Sequence, residues 1–186
     1  MDPVKQLMDE HRVIERVVDI FDKLIEGLEN GIKVSPELIM TNIGMLAECA
    51  NEYHCGKEMN IILPYLDSMG KTDLKTALES YLNDYNNSFG YIDNILAVME
   101  AYASGDMSVA AKIVENGLTF IEEVRPIFEG EDEAVFKILK QGLDKEELAQ
   151  LGEMIQEFEY SWNGPLLMNY QKMVREMERK TGQIIW

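Results

Sequence analysis

Two histidines and a few carboxylates are the residues of this sequence best suited to bind a metal ion. His54 and Glu58 are four residues apart in residues 48–66, a stretch with helical periodicity, so both side chains lie on one helix face. That face also carries Ile61 and Tyr65, which are expected to be buried. A buried histidine and glutamate need a polar partner, which is either a metal ion or an ordinary hydrogen-bonded pair.

The second histidine and a further acid lie on inward faces of other helices. His11 follows the apolar stripe of the first helix, and Glu131 lies near the middle of the inward face of the fourth. Antiparallel packing of the first two helices would bring His11 and His54 to a similar depth. Glu58 and Glu131 could each offer one oxygen to a shared ion. Two imidazole nitrogens with carboxylates suit iron, manganese or zinc.

Each of these residues also has a purely structural interpretation. His11 would then be a core histidine, and one of the two histidines would be protonated and paired with Glu58 or Glu131. The two cysteines, Cys49 and Cys55, are six residues apart in one predicted helix, too far apart to form a disulfide bond there. We expect them to be free and buried.

Composition restricts the class of protein. The chain has 186 residues, 46% of them apolar, which predicts a single folded domain over residues 1–186. Its formal net charge of −17 argues against nucleic acids and anionic membrane surfaces as partners. No apolar run approaches the roughly 20 residues of a membrane span, and no basic start precedes an apolar block. The sequence therefore predicts a cytoplasmic protein.

Hydrophobic periodicity predicts an all-α fold, since no segment alternates with period two for long enough to be a strand. The expected helices are residues 3–30, 35–67, 72–105, 108–142 and 144–160, and a last helix from Gly164 and Pro165 to about Lys180. Four long amphipathic helices with short turns are typical of an up-down-up-down four-helix bundle. We expect residues 3–142 to form the bundle and residues 144–182 to add C-terminal helices.

The same periodicity assigns the faces of the third and fourth helices. The third is expected to bury Leu78, Tyr81, Leu82, Tyr85, Phe89, Ile92 and Leu96. The fourth is expected to bury Val124, Ile127, Phe128, Glu131, Val135 and Ile138. A solvated acidic face is expected from Glu122, Glu123, Glu129, Asp132 and Glu133.

Several of these motifs together resemble the hemerythrin-like HHE cation-binding family. They are the Glu10-His11 pair, the HxGKE motif at residues 54–58 followed by ILP, the Glu-Asp pair ahead of Val-Phe in residues 131–136, and Gly164-Pro165 before a terminal helix. The resemblance covers nearly the whole chain. It implies a four-helix bundle that holds two irons bridged by two carboxylates, with histidines from each helix.

Carried over by position, the resemblance implies that His11, His54, Glu58 and Glu131 are metal ligands, with the two glutamates in the bridging positions. Four family positions are changed. Tyr85 and Ile127 stand where the family has ligand histidines, Cys55 where it has a second histidine, and Lys137 where it has a proline. Both lost ligands belong to the same iron of the pair. The sequence therefore predicts that one metal site is kept and its neighbour is lost.

We therefore expect a protein that holds a non-haem metal in the bundle core. We do not expect it to carry dioxygen, because diiron oxygen transport draws one electron from each of two irons. The cofactor expected is iron, as one or two ions, with zinc or manganese as alternatives. Tyr85 would be a replacement ligand or a donor to bound water, or simply a core aromatic residue. Oxygen, redox or metal sensing is the expected role, with dioxygen as a small ligand. A metal-free interaction module and a non-haem redox enzyme remain the alternatives.

Overall fold

The computed structural model describes residues 2–162 and 166–182, and within these ranges the chain is all-helical, with about 90% of residues in helices and no strand. Six helices follow one another, and their bounds agree with the sequence-based ranges to within a few residues. They are α1 (Pro3–Glu29), α2 (36–68), α3 (Thr72–Ala103), α4 (107–142), α5 (Lys145–Ser161) and α6 (Leu167–Gly182).

Capping residues and turn glycines account for the helix ends. The side chain of Asp2 accepts a hydrogen bond from the backbone N–H of Lys5 (3.0 Å), and Pro3 occupies the first turn of α1. Gly31 and Gly70 follow α1 and α2 with φ of 77° and 65°, values that favour glycine. The predicted start of the last helix at Gly164-Pro165 lies outside the described residues.

The fifth helix also begins as its sequence predicts. Asp144 and Glu147 form a reciprocal capping box at the start of α5. Ser35 occupies the position before α2 in an extended conformation, but its hydroxyl makes no capping bond to the backbone. Its hydroxyl instead donates to Glu37 Oε2 (3.1 Å). The proline at the first position of α2 therefore contributes to this helix start without a side-chain cap.

Three π-helical segments interrupt α2 and α4, and the sequence analysis did not anticipate them. They are Leu46–His54 and Glu58–Ile62 in α2 and Asp132–Phe136 in α4. A π-helical turn uses i→i+5 hydrogen bonds, so it shifts the residues that follow around the helix axis. Ile138 is consequently 49% exposed, and its neighbour Leu139 is fully buried instead. The prediction that Ile138 faces inward was therefore wrong.

Packing between the helices forms a closed ring. Helix α1 contacts α2 and α4, and α3 contacts the same two helices from the other side, with the α3–α4 contact the most extensive. Helix α5 packs against α1 and α2, and α6 packs against α1. On α3 the buried stripe continues through Ile95 and Met99, so Leu96, predicted to be buried, is 38% exposed.

The helices bury apolar side chains on their inward faces and keep most of their charged residues outside. None of the helices in residues 2–162 and 166–182 offers an apolar stretch of the length that a bilayer requires.

Candidate metal centre

Four side chains from three helices converge in the core. His11 comes from α1, His54 and Glu58 come from α2, and Glu131 comes from α4. All four are buried, and each contributes one nitrogen or oxygen atom to a group in which these atoms lie within 4.8 Å of one another. The structure therefore brings together the four residues that the sequence analysis selected.

The spacing of these atoms suits a single cation. The Nε2 atom of His11 lies 3.3 Å from Glu131 Oε2, and the Nε2 atom of His54 lies 3.5 Å from Glu58 Oε1. Ligand atoms bound at about 2.1 Å lie about 3.4 Å apart in tetrahedral geometry and never more than about 4.2 Å apart. Both contacts already have this spacing, and side-chain movements of a few tenths of an ångström would bring the whole group into range.

Two acids fix the orientation of the imidazole rings. The Nδ1 atom of His11 is 2.8 Å from Asp132 Oδ1, and the Nδ1 atom of His54 is 2.9 Å from Glu10 Oε2. A carboxylate can only accept, so each Nδ1–H donates to its acid. In the neutral ring this leaves a lone pair on Nε2, the atom that faces the other ligands. Metal-binding histidines are commonly held by a carboxylate in this way.

The atoms that face one another inside the cluster have no hydrogen-bond partners. These atoms are His11 Nε2, His54 Nε2 and both carboxylate oxygens of Glu58. A buried polar atom without a partner costs about 1–3 kcal/mol, and more where the group is charged. Four such atoms around one point are unusual, because most buried polar side-chain atoms are hydrogen-bonded. A cation between them would satisfy all four.

Burial and mutual repulsion shift the pKa values of the cluster in different directions. Burial lowers the pKa of His54, but the charge of Glu58 and the hydrogen bond to Glu10 outweigh it and raise the pKa to about 10. Burial and the charge of His54 lower the pKa of His11. Burial and the charge of Glu58 raise the pKa of Glu131 to about 7. Without an ion, one proton on His54 would partly offset the paired acids.

Each orienting acid has a cationic partner of its own. Arg12 forms an ion pair with Asp132, and its side chain is 54% exposed. Lys57, by contrast, is completely buried, and its Nζ lies 2.5 Å from Glu10 Oε1 and 2.8 Å from Glu159 Oε1. The nearby charges of His54 and Lys57 contribute to a lowered pKa of Glu10, although burial acts against them. Glu10 is therefore held as a carboxylate, and Asp132 has Arg12 as its cationic partner.

Aromatic rings form the apolar wall of the cluster. The ring of His11 packs against Phe128 and Phe136, with centroid distances of 5.0 and 5.4 Å. Tyr85 packs on Phe128 at 5.8 Å, is 1% exposed, and has a hydroxyl group without a hydrogen-bond partner. Cys55 is buried and free, as predicted, and burial and the charges of Glu58 and Glu131 raise the pKa of its thiol.

The sequence did not reveal the residues that surround the four candidate ligands and hold them in place. Asp132 was assigned to a solvated face, but it is only 5% exposed and binds His11, so that prediction was wrong. The roles of Glu10 and Lys57 were not foreseen either. A signal was present in the sequence, because Glu10 adjoins His11 and Asp132 adjoins Glu131. In each case an acid next to one ligand holds a ligand of a neighbouring helix.

Comparison with known proteins gives relatives but no function. Uncharacterized proteins from Mycobacterium bovis and Mycobacterium tuberculosis are 22% identical to this chain over 157 residues, which is 84% of the chain and 60% of each relative. The chain thus spans about 60% of the length of the curated relatives it matches. No family model matches the chain. No solved structure matches it either.

Proposed function

We propose that this chain is a metal-binding protein of the hemerythrin-like kind that holds one non-haem ion at His11, His54, Glu58 and Glu131. Its fold would be an up-down-up-down four-helix bundle of α1 to α4 with α5 and α6 as additional C-terminal helices. The ring of contacts among the first four helices supports this architecture. The cytoplasmic location expected from the sequence stays a prediction.

One observation carries the proposal. Two imidazole nitrogens and the Glu58 carboxylate point at one another in the core without hydrogen-bond partners, and Glu131 completes the group within 4.8 Å. Neutral imidazole nitrogens and carboxylate oxygens are all acceptors, so they repel one another unless a proton or a cation lies between them. Four ligand atoms of nitrogen and oxygen type suit a divalent transition metal better than magnesium or calcium.

The ion we propose first is iron, with zinc or manganese as alternatives, because imidazole and carboxylate ligands accept all three. Bound iron would supply one-electron redox chemistry, which suits oxygen, redox or metal sensing rather than oxygen transport. Tyr85 packs on Phe128, the ring that also contacts His11, and its unpartnered hydroxyl is proposed to bind the ion or donate to a small ligand such as dioxygen. The chain itself supplies the orientation of both rings and the apolar wall that excludes water.

A second candidate function is a metal-free interaction or regulatory module. The raised pKa of His54 favours this candidate. Burial lowers that pKa, but the charge of Glu58 and the hydrogen bond to Glu10 outweigh burial and raise it to about 10. A protonated His54 between these two acids would be a stable buried ion pair in the absence of metal. The two candidates differ in one measurable property, since only a metal-binding protein is stabilised by adding the ion.

Elemental analysis of the protein purified without chelators tests the proposal, followed by reconstitution with Fe²⁺ or Zn²⁺. We expect about one equivalent of metal per chain and a rise in melting temperature on loading. The Glu131→Gln variant should bind much less tightly, whereas Glu129→Gln, an exposed change on the same helix, should bind normally. Less than about a tenth of an equivalent, with no uptake on reconstitution, would favour the metal-free module.

A further inference from the structure

The buried Lys57 is the least expected side chain of the core. It is fully buried, and its ammonium group contacts Glu10 at 2.5 Å and Glu159 at 2.8 Å. It also lies over the ring of Tyr53, 3.7 Å from the ring centroid. Lysine is almost never fully buried unless it is paired, and here both of its partners are acids. One of these acids orients His54, and the other belongs to α5.

Glu159 is the point where α5 joins this network. Its Oε1 atom accepts hydrogen bonds from Gln6 (2.6 Å), Tyr53 (2.5 Å) and Lys57 (2.8 Å). It is only 6% exposed. These three donors come from α1 and α2, so one carboxylate of α5 is held by two helices of the core. A chain of polar contacts therefore runs from His54 through Glu10, Lys57 and Glu159 to α5.

Further contacts place both C-terminal helices over the same part of α2. Phe158 lies against Gly56, where an added Cβ would come within 3.1 Å of the phenylalanine ring. The hydroxyl of Tyr53 accepts a hydrogen bond from the backbone N–H of Leu166 at 3.2 Å, just before α6. The ring of Tyr53 also packs against that of Tyr170, with centroids 5.5 Å apart. The docked position of α5 and α6 thus depends on residues next to the candidate metal ligands.

We propose that Lys57 is a positioning residue that couples the metal site to the docking of α5, so that loading the site strengthens the contact between α5 and α2. The inference rests on the proposed function. An ion on His54 Nε2 fixes the ring, and the ring then holds Glu10 through its Nδ1–H group. A fixed Glu10 orients Lys57 toward Glu159. Without the ion, Nε2 faces only Glu58 Oε1 at 3.5 Å, an ion pair without a hydrogen bond, which holds this side of the ring less firmly than a metal bond would.

Thermodynamic linkage makes the coupling reciprocal. If the ion stabilises the docked form of α5, the docked form must bind the ion more tightly by the same factor. Allosteric coupling between two sites usually amounts to a change of about 5- to 150-fold. The docking of α5 on α2 would therefore depend on whether the metal site is occupied.

Hydrogen–deuterium exchange of the full chain tests this inference, with Zn²⁺ as the probe and EDTA as the metal-free condition. In the unaltered protein, the amides of Lys145–Ser161 that exchange faster than the slowest amides of α1 to α4, and so open without global unfolding, should exchange about tenfold more slowly with Zn²⁺ than with EDTA. In Glu159→Leu, which leaves Lys57 paired with Glu10, the two rates should differ less than about twofold. Glu159→Gln, which keeps an acceptor without the charge, should give an intermediate ratio and serves if the leucine variant does not fold.

Tyr65→Phe is the matched control. It removes a different hydrogen bond between α2 and α5, from Tyr65 to the backbone carbonyl of Glu147 (3.1 Å), and leaves the lysine network intact. It should keep the tenfold effect of Zn²⁺. An unaltered protein that binds Zn²⁺ but shows no slowing in α5 would overturn the coupling alone, as would an undiminished effect in Glu159→Leu. A protein that takes up no Zn²⁺ would instead overturn the proposed function.

Discussion

Replacing Asp132 tests whether the acids behind the histidines prepare the site for a metal ion. Asp132 Oδ1 accepts the Nδ1–H of His11 at 2.8 Å and thereby leaves Nε2 as the ligand atom. In Asp132→Asn the charge that makes the ring more basic is lost, and the amide N–H₂ can turn toward Nδ1. The ring would then carry its proton on Nε2, where it blocks the ion.

The size of the effect follows from this geometry. Removing an outer-shell partner of a metal-bound histidine typically weakens metal binding 10- to 100-fold, which is about 1.4–2.8 kcal/mol. The change leaves no unpaired buried cation, because the partner of Asp132 outside the cluster is Arg12, which is 54% exposed. Competition for Zn²⁺ against a chromophoric chelator measures the loss directly.

Glu133→Gln is the control, because it removes the same charge from the adjacent residue, whose side chain is 65% exposed. We expect its Zn²⁺ affinity to remain within about twofold of the unaltered protein, as surface charges contribute little. If Asp132→Asn bound Zn²⁺ as tightly as the unaltered protein, or if both variants weakened binding equally, the orienting role of Asp132 would be refuted.

Three further predictions concern packing, protons and buried charge. Gly130→Ala should lower the free energy of unfolding by about 1–3 kcal/mol in urea titrations, because the added Cβ would lie 2.7 Å from the ring of Tyr81. Gly44→Ala is the control and should not destabilise the protein, because there is open space around Gly44. Because the pKa of His54 is raised to about 10, binding of Zn²⁺ at neutral pH should displace a proton from this ring. The affinity of the protein for Zn²⁺ should therefore rise about tenfold per pH unit between pH 7 and 9, and an affinity independent of pH would contradict this. Lys57→Met removes the ammonium group that contacts both Glu10 and Glu159 in the core. It should lower the free energy of unfolding by about 3–5 kcal/mol, and a loss below about 1 kcal/mol would show that the lysine is not needed for charge balance.

Local signals in the sequence predicted the helices well because the chain marks their ends with strong capping residues. Helices α1 and α5 begin at Pro3 and Lys145, within one residue of the predicted starts, and glycines with positive φ follow α1 and α2. Predictions of the buried faces failed where the helix changed type. Ile138 lies beyond a π-helical segment, and a periodicity of 3.6 residues counted across that segment assigns it to the wrong side.

Only the four candidate ligands of the site could be predicted from the sequence. Histidines and acids on apolar faces are conspicuous, so His11, His54, Glu58 and Glu131 could be selected without coordinates. The acids that hold the histidine rings, such as Asp132, look like surface residues in a sequence with 34 acidic side chains. Their burial depends on which helix packs beside them, and that information is tertiary.

Charge balance gives an independent reason why the core suits a cation. Among the described residues, five carboxylates are buried: Glu10, Glu58, Glu131, Asp132 and Glu159. The basic side chains paired with this group are Lys57 and Arg12, which leave three negative charges when both histidines are neutral.

Protonation of His54 removes one of these charges, and the raised pKa of Glu131, about 7, reflects burial and the repulsion from Glu58 that still remains. A divalent ion in place of that proton would leave a single negative charge and would lower the pKa of Glu131 again. The negative charges of Glu58 and Glu131 repel each other in the ion-free core and raise this pKa, and the same two charges would attract a divalent ion. Both the raised pKa and the attraction depend on Glu58 and Glu131 facing each other away from water.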